Sequence, residues 1–566
     1  MRYNILAADY DGTLAHYGKV SPETIEALKR IKDSKRYLIL VTGRVLPELK
    51  ALFPEHTLFH KIVAENGALI YDPLTLEEKK LGEPPPSEFI ESLVQKSVSP
   101  LSEGKVIVAT WEPHHATVLE TIKESGLESQ VIFNKGAVMI LPAGINKAKG
   151  LETLLEEMHL SMHNVVAIGD AENDLAMLQA AECSVAVANA LDSVKNKADW
   201  VTSGDHGKGV FELANALLEN DLRDFDQKLQ RHYIELGKNR KNQPFSISPF
   251  RDGIMIAGTS GGGKTTITST LLEVMTKKKY QFCLIDPEGD YVGLDNTVIL
   301  GTETQPPVVE EIKTLIQNPK QNIVVCIVAV PMADRPAFLN SILPILLENR
   351  KIYGHPHWLI FDEAHHLLPS QIEASFFNIP VDFNNFVLIT TSPDQVNEII
   401  FGNLNMLVAT GDQPTFMIEA FASRKKIKPP RPATETLPKG EAWIWDTFSG
   451  KKPFPVQFNK PDHLLHRHKR KYAAGNMKEN SFVFTGPDGK LKLKAYNLVI
   501  FVQLAEGVDD ETWMFHLNNN EYSDWLDNRV HDEELAGLVR DIENNQKDPV
   551  ISRKKIIEQI KSKYTV

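Results

Sequence analysis

Two carboxylates, Asp9 and Asp11, stand two residues apart where an apolar run ends in the opening stretch MRYNILAADYDGTLA. In an extended segment, residues i and i+2 project to the same side. Charges this close repel unless a divalent cation sits between them or one keeps a proton. Both conditions suit phosphoryl transfer, with one aspartate attacking phosphorus and its neighbour protonating the leaving oxygen. Gly12 lets the backbone turn away without blocking the point they face. Further groups of the same kind follow: Thr42 in LVTGR, Lys147 in INKAKGL, and Asp170, Asn173 and Asp174 in IGDAENDLAML. A DG turn after a strand is common, but a hydroxyl, a cation and a second acidic cluster are more than a turn requires.

A second set begins at GTSGGGKTT, residues 258 to 266, behind the apolar IMIA and ahead of ITSTLLEVMTKKK. It fits G-x-x-x-x-G-K-[ST] between a strand and a helix, the context the motif needs. Backbone amides around Gly258, Ser260, Gly261, Gly262 and Gly263 would cradle phosphates. The N-terminus of the helix, at Thr265 and Thr266, adds partial positive charge. Lys264 would reach the β- and γ-phosphates of ATP, and Thr265 its Mg²⁺. In HWLIFDEAHHLLP an apolar run delivers Asp362 to the same ion, and Glu363 follows directly. A carboxylate there is placed to polarise a water, which favours ATP hydrolysis over transfer to a second substrate. His365 and His366 are read as flanking residues.

The elements that must position these groups are strands and helices in alternation. RYNILAADY, RYLILVTG, KIVAENG and NVVAIGD alternate with amphipathic stretches such as SPETIEALKRIKDS. That pattern predicts an α/β fold with a parallel sheet, whose ligands gather at the carboxyl ends of the strands. With 566 residues the chain exceeds one core. Its 42% hydrophobic and 24% charged residues are ordinary for a folded protein, and a net charge of −12 argues against a coat of nucleic-acid-binding charge. Cys183, Cys283 and Cys326 lack zinc spacing and suit a reducing cytoplasm. The longest apolar run, IVVCIVAV, falls short of the roughly 20 residues that span a bilayer. A cytoplasmic protein without membrane contact is expected.

The four motifs over residues 1–215, with AENGALIY, AVANA and KADWVT, resemble the haloacid dehalogenase superfamily, in particular its Cof-like capped phosphatases. The resemblance implies a Rossmann-like domain in which Asp9 is the nucleophile and forms an aspartyl-phosphate. Asp11 is then the general acid, and afterwards the base for water. Thr42 and Lys147 hold the phosphoryl oxygens, and Lys149 is the alternative cation. Asp9, Asp170 and the Asp11 carbonyl ligate Mg²⁺, with Asp174 steadying them. Asn66 either contacts the substrate or shapes a turn. A small α/β cap is expected at about 73–143, where Glu112, His114 and His115 are candidates to face the substrate, a sugar phosphate or a phosphoglycolate-like ester.

Residues 245–458, through GTSGGGKTT, LIDPEGDY, WLIFDEAHHLLP and LPKGEAWIWD, resemble the HerA/FtsK group of P-loop ATPases, with a RecA-like domain. That resemblance implies a homo-oligomer, commonly a hexameric ring, and makes nucleic acid a further partner. Thr391, Ser392 or Gln395 would be its sensor, and Arg335 and Arg424 are the guesses for an arginine finger. Residues 216–244 read as a charged helix and polar linker. HLLHRHKRKY at 463–472 is the densest basic run. Residues 459–566 read as a small α+β interaction module, with a Pro-Asp-Gly hairpin, N-caps at Asp509 and Asp532, and Trp513, Phe515, Tyr522 and Trp525 as core. The leading functional reading is a Mg²⁺-dependent phosphatase coupled to an ATPase. The alternatives are a nucleic-acid-acting ring with the phosphatase as effector, and a P-loop that only senses nucleotide.

Overall fold

The computed structural model describes residues 2–564 apart from 251–252, 431–436, 439, 462–476, 478–479 and 531. The basic run 463–472 lies outside the described residues.

The N-terminal apolar runs become an eight-stranded sheet. Ile5–Ala8 is flanked in parallel by Val165–Gly169 and Tyr37–Val41, and Lys61–Ala64, Cys183–Ala186 and Trp200–Val201 extend the parallel part. Leu69–Tyr71 and Glu78–Lys80 close one edge antiparallel. The central strands are buried on both faces, hence their unbroken Ile, Leu, Val and Ala. Helices such as Pro22–Asp33 cover the faces. That helix opens with Ser21, whose side chain accepts from the Thr24 amide, and turns Ala27, Leu28 and Ile31 inward.

Between the second and third motifs a separate four-stranded antiparallel sheet, with the helices Ser87–Gln95 and His115–Ser125, forms the small α/β cap. Its hairpin Ser129–Asn134 to Ala137–Pro142 turns through Lys135 (φ +48°) and Gly136 (φ +91°). Two positive φ angles in a two-residue loop are the hairpin turn whose twist matches its strands.

The central region is an eleven-stranded sheet. Seven parallel strands include Gly253–Gly258, which carries the glycine-rich loop, and Trp358–Phe361, which delivers Asp362. Phe386–Thr390 lies between those two and pairs with both. Four antiparallel strands finish one edge. Two of them correct the expected linker: Ile234–Asn239 and Pro244–Ile247 fall within or across the end of 216–244 yet belong to this sheet. Ile234 and Leu236 are buried in its core while Glu235 is exposed, a period-two signal too short to stand out among charges.

The C-terminal residues form a two-stranded hairpin, Phe482–Phe484 with Leu493–Ala495, under five helices. Asp509 and Asp532 cap two of these, accepting from the Thr512 and Leu535 amides. Trp513, Tyr522 and Trp525 pack in that core.

The two large sheets meet at the amino ends of their strands in a buried polar seam. Arg2 and His163 of the first domain and Tyr280 of the second converge on Glu182, at 3.0, 2.7 and 3.1 Å. His163 Nε2 lies 2.7 Å from the Lys278 carbonyl, and His355 Nε2 returns the contact at 2.9 Å from the His159 carbonyl. Asn164 donates to the Gly354 carbonyl.

Candidate active sites

The first three motifs and the acidic cluster come together at the carboxyl ends of the first sheet. Asp9 follows Ile5–Ala8, Thr42 follows Tyr37–Val41, and Asp170 follows Val165–Gly169. The helix Lys147–Glu157 starts beneath them, with Asn146 as its cap accepting from the Lys149 amide. Lys147 is 1% exposed, and its ammonium lies 2.5 Å from Asp9 Oδ1 and 2.6 Å from Asp174 Oδ1. Asp174 Oδ2 accepts from the Asp170 and Ala171 amides at 2.9 and 3.0 Å, which fixes the loop carrying Asp170. Thr13 donates to Asp170 Oδ1 at 3.1 Å. Lys149 points elsewhere, half-exposed and 3.9 Å from Glu152, so of these two lysines Lys147 is the one that joins the cluster.

Burial, with the Asp174 charge beside it, raises the Asp9 carboxyl well above the usual carboxylate range. Burial lifts Asp170 too, against the pull of a hydrogen bond from Lys135. For Lys147 burial acts downward, but the Asp174 and Asp9 carboxylates overcome it and hold the amine protonated. The ligand oxygens of Asp9, Asp170 and Asp174 all lie within 4.8 Å of one another, and all three residues are buried. Three buried hard oxygen donors fit Mg²⁺. Gly12 has φ +85°, and a Cβ on it would stand 2.2 Å from Asp170 Oδ2, so only glycine lets the acidic loops approach.

Thr42 is fully buried and its Oγ1 accepts from the Arg44 amide at 3.1 Å. Asn66 takes φ +56° and is buried, with Oδ1 accepting from Asn173 at 3.1 Å. Its Nδ2 and the Asn173 Oδ1 have no partner among the described residues. Two residues escaped sequence reasoning. Arg44 grips both oxygens of Asp11 at 2.6 and 2.7 Å, a fork the TGR tripeptide holds in plain sight. Lys135, at the tip of the cap hairpin, hydrogen-bonds Asp170; Asn-Lys-Gly marks a turn but carries no signal of that contact. The cap residues expected at the site sit otherwise. His115 pairs with Glu112 at 2.5 Å on exposed surface, and His114 lies 3.1 Å from the Ser99 carbonyl.

The family model described as haloacid dehalogenase-like hydrolase matches residues 6–113 and 104–213. A phosphoglycolate phosphatase of Methanothermobacter thermautotrophicus is 34% identical over 222 residues, which are 38% of this chain and 98% of that protein. The chain belongs to the haloacid dehalogenase-like hydrolases. Phosphoglycolate phosphatase 2 of Saccharolobus solfataricus is 32% identical over 228 residues, covering 38% of this chain and 94% of that protein. The Bacillus subtilis 5-amino-6-(5-phospho-D-ribitylamino)uracil phosphatase YcsE is 28% identical over 230 residues, 36% of this chain and 92% of that protein. Beyond this hydrolase domain, residues 234–334 match the model described as helicase HerA, central domain.

The HerA-like region gathers the second set of residues. Gly261 and Gly263 take φ +77° and +94°, and a Cβ on Gly262 would stand 2.8 Å from Gly411 Cα. Ser260 and Gly261 are exposed at the loop's rim, and Thr410 fastens the loop by donating to the Gly262 carbonyl at 2.5 Å. The helix Lys264–Lys277 begins directly after, with Thr265 and Thr266 in its first turn. Lys264 is 5% exposed and donates to the Gly258 and Thr259 carbonyls at 2.9 and 3.1 Å.

Asp362 is fully buried at the end of Trp358–Phe361, and Glu363 follows with φ +42°. A third carboxylate joins them. Asp286 is capped by the Gly289 and Tyr291 amides, and burial with the Asp362 charge pushes its pKa up to about 7. His365 lies 3.5 Å from Glu363 and 3.0 Å from Thr390 Oγ1; burial lowers its pKa to about 4, so it is neutral. Thr390, rather than Thr391, Ser392 or Gln395, is the strand-end residue in contact with His365. Arg335 is buried against the Val330 and Pro287 carbonyls, and Arg424 binds the Asp394 carbonyl. Among the described residues no helix is long and apolar enough to cross a membrane.

Proposed function

We propose that the chain is a Mg²⁺-dependent phosphomonoester hydrolase acting through Asp9, joined to a HerA-like domain that binds and hydrolyses ATP. The observation that carries the first half is the buried cluster of Asp9, Asp170, Asp174 and Lys147 at the strand ends. Asp9 Oδ attacks phosphorus and an Asp9–phosphate bond forms as the ester bond breaks. Asp11, parted from Arg44 as substrate enters and protonated from solvent, gives that proton to the leaving oxygen. It then takes a proton from the water that hydrolyses the aspartyl-phosphate. Thr42 and Lys147 bind the phosphoryl oxygens as charge grows on them. Asp9, Asp170 and the Asp11 carbonyl, with Asp174 behind, would hold Mg²⁺, which would neutralise the carboxylates and the phosphoryl group.

The names of the relatives favour a small phosphorylated acid such as phosphoglycolate as substrate. Phosphate release from phosphoglycolate by wild type and Asp9→Asn tests this: the variant should fall at least about 10³-fold. Retained turnover in the variant would remove Asp9 from the mechanism.

For the second half, Lys264, Thr265 and Asp362 would hold ATP and its Mg²⁺, and Glu363 would orient the attacking water. We extend this reading to a homo-oligomer, hexameric on the HerA pattern, in which a neighbouring copy supplies the arginine. Arg335 and Arg424 are each held by backbone carbonyls of their own chain, so either would have to leave them to serve a neighbouring site. Light scattering with and without ATP measures the assembly, and the same sample with oligonucleotide added tests nucleic acid as a partner.

A further inference from the structure

We infer that Lys135 is the residue by which the cap selects the substrate, and that it does so by binding a carboxylate on the leaving group. This deepens the phosphatase reading and rests on it. The cap contributes one cation to the catalytic cluster, and the hairpin turn at Lys135 and Gly136 delivers it. The paired positive φ angles match the turn to its strands, and the Lys135 side chain is 45% exposed beyond it.

Its present partner, Asp170 Oδ2, belongs to the set that fits Mg²⁺. An ammonium and a divalent cation repel strongly at hydrogen-bond range. With Mg²⁺ held at Asp170, the Lys135 ammonium would have to leave that oxygen, and its side chain can do so while the hairpin stays in place. The released ammonium stays over the site. The ligand atoms of Asp9 and Asp170 lie within 4.8 Å of each other, so Lys135 stands one short acid away from the nucleophile.

One neighbouring polar atom suits the same occupant: Asn66 Nδ2 on the core is a buried donor without a partner among the described residues. It offers a hydrogen bond but no charge. Lys135 is then the group that distinguishes an anionic leaving group from a neutral one of equal size, because a charge-assisted bond is stronger than a neutral one. The substrate class is a phosphomonoester of a short hydroxy acid, with the phosphoryl group on Asp9 and the carboxylate on Lys135.

The test compares phosphoglycolate with 2-hydroxyethyl phosphate, its neutral counterpart, in the full chain. Wild type should prefer the acid, and Lys135→Met should lower the ratio of kcat/KM values about 10- to 100-fold. Lys135→Arg should keep most of the preference. In calorimetry without substrate, Lys135→Met should bind Mg²⁺ more tightly than wild type, since its competitor at Asp170 is gone. Turnover of both esters with an unchanged ratio in Lys135→Met, or unchanged Mg²⁺ affinity, overturns the inference alone. Turnover of neither ester by wild type overturns the phosphatase reading and this inference with it.

Discussion

Lys147→Met keeps the length of the side chain and removes its charge, leaving Asp9, Asp170 and Asp174 with Lys135 as the nearest cation. The lysine is 1% exposed and contacts two carboxylates at 2.5 and 2.6 Å. Removing one member of such a buried pair costs about 3–5 kcal/mol, chiefly because the remaining charges stay desolvated and unpaired. In a domain of this size about 1 kcal/mol shifts the melting temperature by about 2–4 °C. The hydrolase domain of the metal-free variant should therefore melt roughly 10 °C lower. Mg²⁺ replaces part of the missing charge, so it should raise the variant's Tm more than that of wild type. Turnover should fall about 10²- to 10³-fold, the scale of losing one preorganised transition-state contact. Differential scanning fluorimetry with and without Mg²⁺, beside a phosphate-release assay, measures all three. A metal-free variant as stable as wild type, or one turning over within tenfold of it, would refute the electrostatic reasoning.

Gly12→Ala should be severely damaging although it adds a single methyl group, because its Cβ would stand 2.2 Å from Asp170 Oδ2. Mg²⁺ titration should show weakened binding, and unchanged affinity would count against the packing described. Glu182 is buried at the seam, and against the pull of burial its hydrogen bond and charge pairing with His163, then His232 and Arg2, hold its pKa at about 2. A lowered carboxylate stabilises above its unfolded pKa near 4.5 and loses that contribution as pH falls toward 2, here about 3 kcal/mol. Glu182→Gln should therefore be less stable at pH 7, and urea unfolding should show the gap narrowing below pH 4.5; a gap independent of pH would contradict this. Lys264→Ala should abolish ATP binding in calorimetry, and retained affinity would move the nucleotide elsewhere.

Short motifs carried most of the hydrolase site because each group closes a strand, and the parallel sheet aligns strand ends without further information. Asp9, Thr42 and Asp170 needed only their own elements to be placed. What stayed hidden depends on contacts between distant segments. Lys135 reaches Asp170 only because the cap folds over the core, and nothing local marks a turn lysine as functional. Glu112, His114 and His115 looked more chemical in sequence yet find their partners within the cap, His115 on Glu112 and His114 on the Ser99 carbonyl. Asp286 shows the same limit, since its proximity to Asp362 comes from neighbouring strands far apart in the chain. The strand Ile234–Asn239 was missed for a simpler reason: two inward apolar residues are too few to show a period.

The seam around Glu182 is also a mechanical root. Asn4 and Asn164 mark the start of strands that end at Asp9 and Asp170, and Gln281 and His357 the start of strands that end at Asp286 and Asp362. Five residues of strand are about 16 Å, so each candidate site stands one strand's length from this common ground. A tilt of about 5° at the seam would swing one site by about 1.4 Å relative to the other while leaving the internal geometry of each intact.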